Sequence, residues 1–144
     1  MNLLKKFIKI PGRDKLLFLI ALTLSFFVKI VVFTIPLRWY SKFLTNRKQH
    51  TIPRNKSNET ETIRDIARAV NRCSRHAPWK TKCLVDAVTA KLLLRWHGIS
   101  STMFLGVNKD EEKNLTAHAW LKCGEIFITG KRGYHKFTVV STFT

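Results

Sequence analysis

The sequence predicts an α+β fold in which a helix opened by a cysteine packs on a small antiparallel sheet, preceded by an apolar helical extension. Three stretches predict it. Leu84, Val88, Lys91 and Leu92, with Ala87 and Leu94 beside them, fall at helical spacings before Gly98 supplies a stop. Thr116 to Lys122 alternates with a period of two, placing Ala117, Ala119 and Leu121 on one face of a strand and His118 and Trp120 on the other. Leu16 to Leu37 is almost continuously apolar, interrupted by Lys29 and closed by Pro36.

That first apolar run is long enough to cross a bilayer, which takes about 20 residues of helix. Lys29 inside it would cost ~2.5–3.5 kcal/mol on insertion. Basic residues stand on both flanks: Lys5, Lys6, Lys9, Arg13 and Lys15 before it, Arg38, Lys42, Arg47 and Lys48 after it. The positive-inside rule therefore gives no orientation and favours a segment lying in or on the inner leaflet. The competing expectation is a helical hairpin packed on the rest of the chain or on a partner protein, with Lys29 reaching out to its surface. No small-x-small cleavage site follows the run, so it does not read as a cleaved signal peptide. The expected organisation is a basic, apolar segment over 1–44, a polar linker over 45–61 and a folded domain over 62–144.

In that domain, the pattern Thr62-x-x-Asp65 reads as the cap of a helix whose Ile63, Ile66, Ala67, Val70 and Ser74 share one face. Arg64, Arg68, Arg72 and Arg75 lie outside that face and read as solvated. Pro78 ends the helix, and Trp79 is expected to cover the junction with the next one. Thr81 is the best N-cap there, making Cys83 the second helical residue. Thr102 to Val107 reads as a strand and Asn108 to Asn114 as a charged turn. A hairpin through Cys123-Gly124 leads to Ile126–Thr129, and Phe137, Val139 and Phe143 mark a last strand.

With 144 residues, 45% of them apolar, the chain can form one modest core plus an extension. Its net charge of +17 points to an acidic partner: anionic lipid, nucleic acid or an acidic peptide. Nucleic acid is not expected, because the basic residues are spread over several elements and no recognition motif accompanies them. Three cysteines at no framework spacing fit a reducing cytoplasm better than a disulfide-bonded fold. Cys73-x-x-His76 lacks the second paired half of a zinc site, so neither metal nor cofactor is expected.

The chemistry falls to Cys83 and His118. A thiol is nucleophilic as thiolate, and the first turn of a helix favours that anion through unpaired backbone N–H groups and the macrodipole. An imidazole nearby completes the activation. Pro78-Trp79, Cys83-Leu84 opening a helix, Gly98-Ile99-Ser100, Gly106-Val107, and Ala117-His118-Ala119-Trp120 followed by Cys123-Gly124 carry a family likeness. The chain resembles the stand-alone protease subunit of lasso-peptide biosynthesis, a bacterial cysteine peptidase related to the C-terminal domain of the microcin-processing protein. The resemblance implies a transglutaminase-like or papain-like core that removes the leader from a ribosomally made precursor peptide. It further implies a separate leader-recognition protein that delivers the precursor and an ATP-dependent lasso cyclase that uses the freed amine. A cytoplasmic location, with the inner face of the cell membrane as a further partner, fits both the charge and the apolar run.

The family places an acid about twelve positions after the histidine; here that position is Gly130, and no acid occurs from Ile126 to Thr144. With the hairpin turn at Cys123-Gly124, Thr129 is expected opposite His118, where its hydroxyl or a backbone carbonyl would orient the ring. Asp86, one turn after Cys83, is a second candidate for that role, and Glu125 a weaker one. The Cys83 backbone N–H is expected to meet the oxyanion. Two other classes compete: a basic membrane-surface or partner-binding module without chemistry, and a transglutaminase-type acyl transferase.

Overall fold

The computed structural model describes residues 11–45, 56–77 and 83–144. Its elements are α1 (Gly12–Thr34), α2 (Leu37–Leu44), α3 (Lys56–His76), α4 (Cys83–Trp96), β1 (Thr102–Lys109), β2 (Leu115–Cys123), β3 (Ile126–Thr129), a 3-10 turn (Tyr134–Lys136) and β4 (Thr138–Phe143). The expected capping residue Thr81, together with Pro78, Trp79 and most of the expected linker, lies outside the described residues.

Pro36 separates the first two helices for a steric reason. Its ring drives Ile35 into an extended conformation, φ −112° and ψ 129°, which ends α1, while its own φ of −63° is suited to opening α2. The helix expected from Thr62 begins six residues earlier, at Lys56. Thr62 is an interior residue whose hydroxyl donates to the Asn58 carbonyl at 3.0 Å. Asp65 is not a capping partner either: it pairs with Arg68 one turn on and with Arg13 of α1 at 3.8 Å. The polar Asn-Glu-Thr-Glu stretch read as linker is helical because its acids favour a helix N-terminus and the turn has no apolar face to satisfy.

Helix α4 is the centre of the molecule. Val85, Ala87, Val88, Ala90, Leu93 and Leu94 are all buried, and they point in every direction around the helix. A helix that is apolar all round must be covered on all sides: α1 and α3 cover one side and the sheet the other. Gly98 ends it as expected, with φ +72° and the paired bonds Ile99 N–H to Leu94 O (2.9 Å) and Gly98 N–H to Arg95 O (3.0 Å). This is the Schellman arrangement, in which only glycine takes the left-handed position without strain.

The strands form one antiparallel sheet in the order β3-β2-β1-β4. Its inner face gives Met103, Ala119, Leu121, Cys123 and Ile128 to the helical core. Its outer face carries a separate cluster of rings, in which Phe104 stacks on Trp120 at 5.6 Å and Tyr134 lies 5.8 Å from Trp120. The alternation expected of Thr116–Lys122 is present, with Ala119 and Leu121 inward and His118 and Trp120 outward.

Lys91 was counted with the apolar stripe of its helix, and it is indeed only 4% exposed. Its Nζ donates to the Ser101 carbonyl at 2.6 Å and to the Phe143 carbonyl at 3.2 Å, tying the entry of β1 and the end of β4 to α4. Burial lowers its pKa from 10.5 to about 8. The charged form is thus disfavoured in the fold, and that cost is fully present below pH 8 and disappears as pH rises toward 10.5. The unfolding free energy of the wild type, relative to Lys91→Met, should therefore rise by about 2 kcal/mol between pH 7.5 and 10 in denaturant titrations.

Candidate active site

Cys83 is the first residue of α4 and is half-buried, its side chain packing on the edge of the helical core. All three cysteines are free. Cys73 and Cys123 lie inside the core, where burial pushes their thiols up, Cys123 to about 11. Cys83 is thus the thiol placed for reaction, at a helix start where backbone N–H groups are unpaired by the helix itself. Cys73 of the Cys73-x-x-His76 pair is a core residue, and His76 is exposed at the end of α3.

Topology brings His118 to the same end of the molecule. The tight turn at Gly98 makes β1 run back along α4. From Lys91 to Cys83 is ~12 Å of helix at ~1.5 Å per residue; from Ser101 to Gly106 is ~16 Å of strand at ~3.3 Å per residue. Gly106 pairs with His118 in the β1–β2 register, so the histidine comes level with the N-terminal turn of α4. Its ring, however, leaves β2 on the outer face, 5.1 Å from Phe137 and 5.9 Å from Trp120, centroid to centroid. Among the described residues no hydrogen bond joins Cys83 to His118: the thiol packs toward the helical core and the imidazole among the rings.

What holds the imidazole is a backbone oxygen. His118 Nε2 donates to the Gly130 carbonyl at 2.8 Å. A carbonyl can only accept, so this bond places the proton on Nε2 and leaves Nδ1 as the basic nitrogen. At the position where the resemblance implied an acid, the ring meets a main-chain carbonyl. An acid could not stand there: Gly130 has φ +72°, and a Cβ would meet the Ala119 carbonyl oxygen and come within 2.7 Å of Trp120 Cβ. Asn71 of α3 fixes the strand just before it, donating to the Ile128 carbonyl at 3.0 Å.

The expected orienting residues are elsewhere. Thr129 does not pair with His118: the hairpin turn is Gly124-Glu125, with Cys123 opposite Ile126, and a further register shift between Leu121 and Lys122 leaves Thr129 opposite Leu121. Its hydroxyl is buried with no hydrogen-bond partner. Asp86 faces α3, where Ser74 Oγ donates to its Oδ2 at 2.9 Å, and Glu125 lies exposed beside the hairpin turn, 3.4 Å from Lys122 Nζ. Sequence reasoning missed Tyr134 and Phe137, whose signal was an excess of aromatic residues after β3. It also missed the need for glycine at 106, where a Cβ would lie 2.8 Å from Phe137 and 2.9 Å from Trp120.

Trp120, 4% exposed and stacked between Phe104 and His118, buttresses the histidine from its own strand. A family model described as the transglutaminase-like superfamily matches residues 27–142. The chain belongs to that superfamily. Its members include cysteine peptidases and acyltransferases, and their α+β fold is the one described above. The match starts within α1, so the last third of the apolar helix falls inside the region covered by the family. Comparisons with curated proteins and with solved structures give no match.

Placing an acid at this position by Gly130→Asp should disrupt the site. The substitution combines a left-handed backbone with a steric clash, and is expected to lower stability by about 2–4 kcal/mol. Thermal denaturation of Gly130→Asp beside Gly130→Ala measures this; both should fall together, because the cost arises at Cβ.

Proposed function

We propose that this protein is a thiol peptidase that removes the leader from a lasso-type precursor peptide. Cys83 acts as the nucleophile and His118 Nδ1 as the base, through an acyl-enzyme that water hydrolyses. The observation that carries this reading is the His118–Gly130 bond. It holds the imidazole in the tautomer that can take a thiol proton, which is what the third member of a catalytic triad does. Membership of a superfamily of cysteine-dependent enzymes and the start of α4 at Cys83 support the same assignment. The reading requires sulfur and imidazole to come into contact when peptide binds; catalytic hydrogen bonds are often long or misaligned until substrate closes the site.

In the reaction, Cys83 attacks the scissile carbonyl and the oxyanion meets the Cys83 backbone N–H at the helix start. His118 then gives its proton to the departing amine. That amine is the group a separate ATP-dependent cyclase would join to a side-chain carboxylate, and a small leader-recognition protein would present the precursor.

The gap between thiol and imidazole and the glycine in place of an acid favour a second reading, a transglutaminase-like domain that binds peptide without cutting it. Mass spectrometry of a candidate precursor, incubated with the protein and its recognition partner, separates the two. The peptidase reading expects free leader and core masses with the wild type, none with Cys83→Ala, and at least ~100-fold slower release with His118→Ala. Undiminished cleavage by Cys83→Ala would remove the peptidase assignment; binding of the precursor with no cleavage by the wild type would establish the second.

A further inference from the structure

We propose that the N-terminal helices form a docking surface for an anionic lipid bilayer, with α1 lying along the membrane surface instead of crossing it. Helix α1 is apolar around its whole circumference but is covered on one side only. Phe18, Ala21, Ser25 and Val28 are buried against the domain, in contact with α3 and α4. On the opposite side Leu16, Leu19, Phe27, Ile30 and Val31 remain exposed. A contiguous apolar face of this size on a soluble domain marks an interaction surface.

Helix α2 supplies the second part. Trp39 (76% exposed) and Phe43 (69% exposed) stand one turn apart on its outer side, with Arg38 and Lys42 likewise exposed beside them. An exposed aromatic pair next to a basic pair is the pattern of a helix that lies at the boundary between headgroups and acyl chains. Arg95 locks this helix to the end of α4, donating from Nη1 to the Phe43 carbonyl at 2.8 Å, with its guanidinium 5.4 Å from the Phe43 ring centre. Between α1 and α2 runs an apolar groove of about 450 Å³, floored by Val88 and Leu92 of the cysteine helix.

Charge selects lipid as the occupant. From Lys15 to Leu44 there is no Asp or Glu, while Lys15, Lys29, Arg38 and Lys42 are spread along the stretch, and the whole chain carries +17. An apolar face that continues into the exposed Arg38 and Lys42 is complementary to acyl chains under anionic headgroups. Crossing the bilayer would require α1 to leave α3 and α4 and expose the core beneath Ala21 and Val28, so the helix stays on the domain and presents its free side.

The test is co-sedimentation of the full chain with phosphatidylcholine vesicles made with and without phosphatidylglycerol. The proposal expects binding to the anionic vesicles, a blue shift of tryptophan emission that Trp39→Phe abolishes, and release by an alkaline carbonate wash. Trp39→Ser with Phe43→Ser, and separately Arg38→Glu with Lys42→Glu, should each weaken binding at least about tenfold while circular dichroism is unchanged. Wild-type protein that stays in the supernatant, or variants that bind as well as the wild type, would overturn it. Retention after the carbonate wash would overturn the surface orientation. Concentration-dependent self-association of the wild type, lost in Trp39→Ser/Phe43→Ser with no change in vesicle binding, would assign the face to a second copy of the chain.

Discussion

Because α4 is apolar in every direction, it can exist in water only if chain on both sides covers it, and the covering determines where everything else goes. The sheet takes one side, so β1 and β2 must run along the helix and bring their far ends to its N-terminal turn. Helices α1 and α3 take the other side, and α3 reaches through Asn71 to hold β3. Cys83 and His118 come to one end of the molecule as a consequence of this packing. Their approach is not maintained by any bond between them.

The sheet has two faces with different tasks. Ala119, Leu121 and Cys123 complete the helical core, whereas Phe104, Trp120, Tyr134 and Phe137 form a ring cluster that encloses His118 from the outer side. Each ring neighbour restricts the imidazole further, and the Gly130 carbonyl sets its tautomer. Gly106 and Gly130 are the two positions where this crowding excludes a side chain altogether. The group that meets Nε2 is therefore main chain, which carries no negative charge to stabilise an imidazolium. In the proposed peptidase a thiol would tolerate that better than a hydroxyl, because it ionises nearer neutral pH.

How much was legible in the letters follows from how local each feature is. The stop of α4 at Gly98, the alternation around His118 and the hairpin between β2 and β3 all depend on short-range rules, and all are present; Cys83 opens the described part of α4, while the Thr81 cap lies outside the described residues. Helix α3 begins at Lys56, six residues before the cap-like pattern Thr62-x-x-Asp65, because the preceding polar turn already continues the helix. Thr129 lies opposite Leu121 and not His118 for two reasons: the turn sits one residue later, at Gly124-Glu125, and a bulge with no signature in Leu121-Lys122 adds a further shift. The burial of Lys91 was half visible: a lysine at an apolar helical position announces an unusual environment, but the two carbonyls it meets come from residues 101 and 143. The outer ring cluster draws on β1, β2, the 3-10 turn and the residue that follows it, and such long-range assembly leaves only an aromatic count as its trace.

The account rests on the thiol of Cys83 being activated by the imidazole of His118. The most direct measurement is the rate at which Cys83 is labelled by a precursor-derived peptide carrying a chloromethyl ketone at the scissile position, read by intact-protein mass spectrometry in the wild type and in His118→Ala. Burial of Cys73 and Cys123 keeps them from competing. Activation on peptide binding predicts labelling at least about tenfold slower in the variant. Equal rates for the two proteins would contradict it.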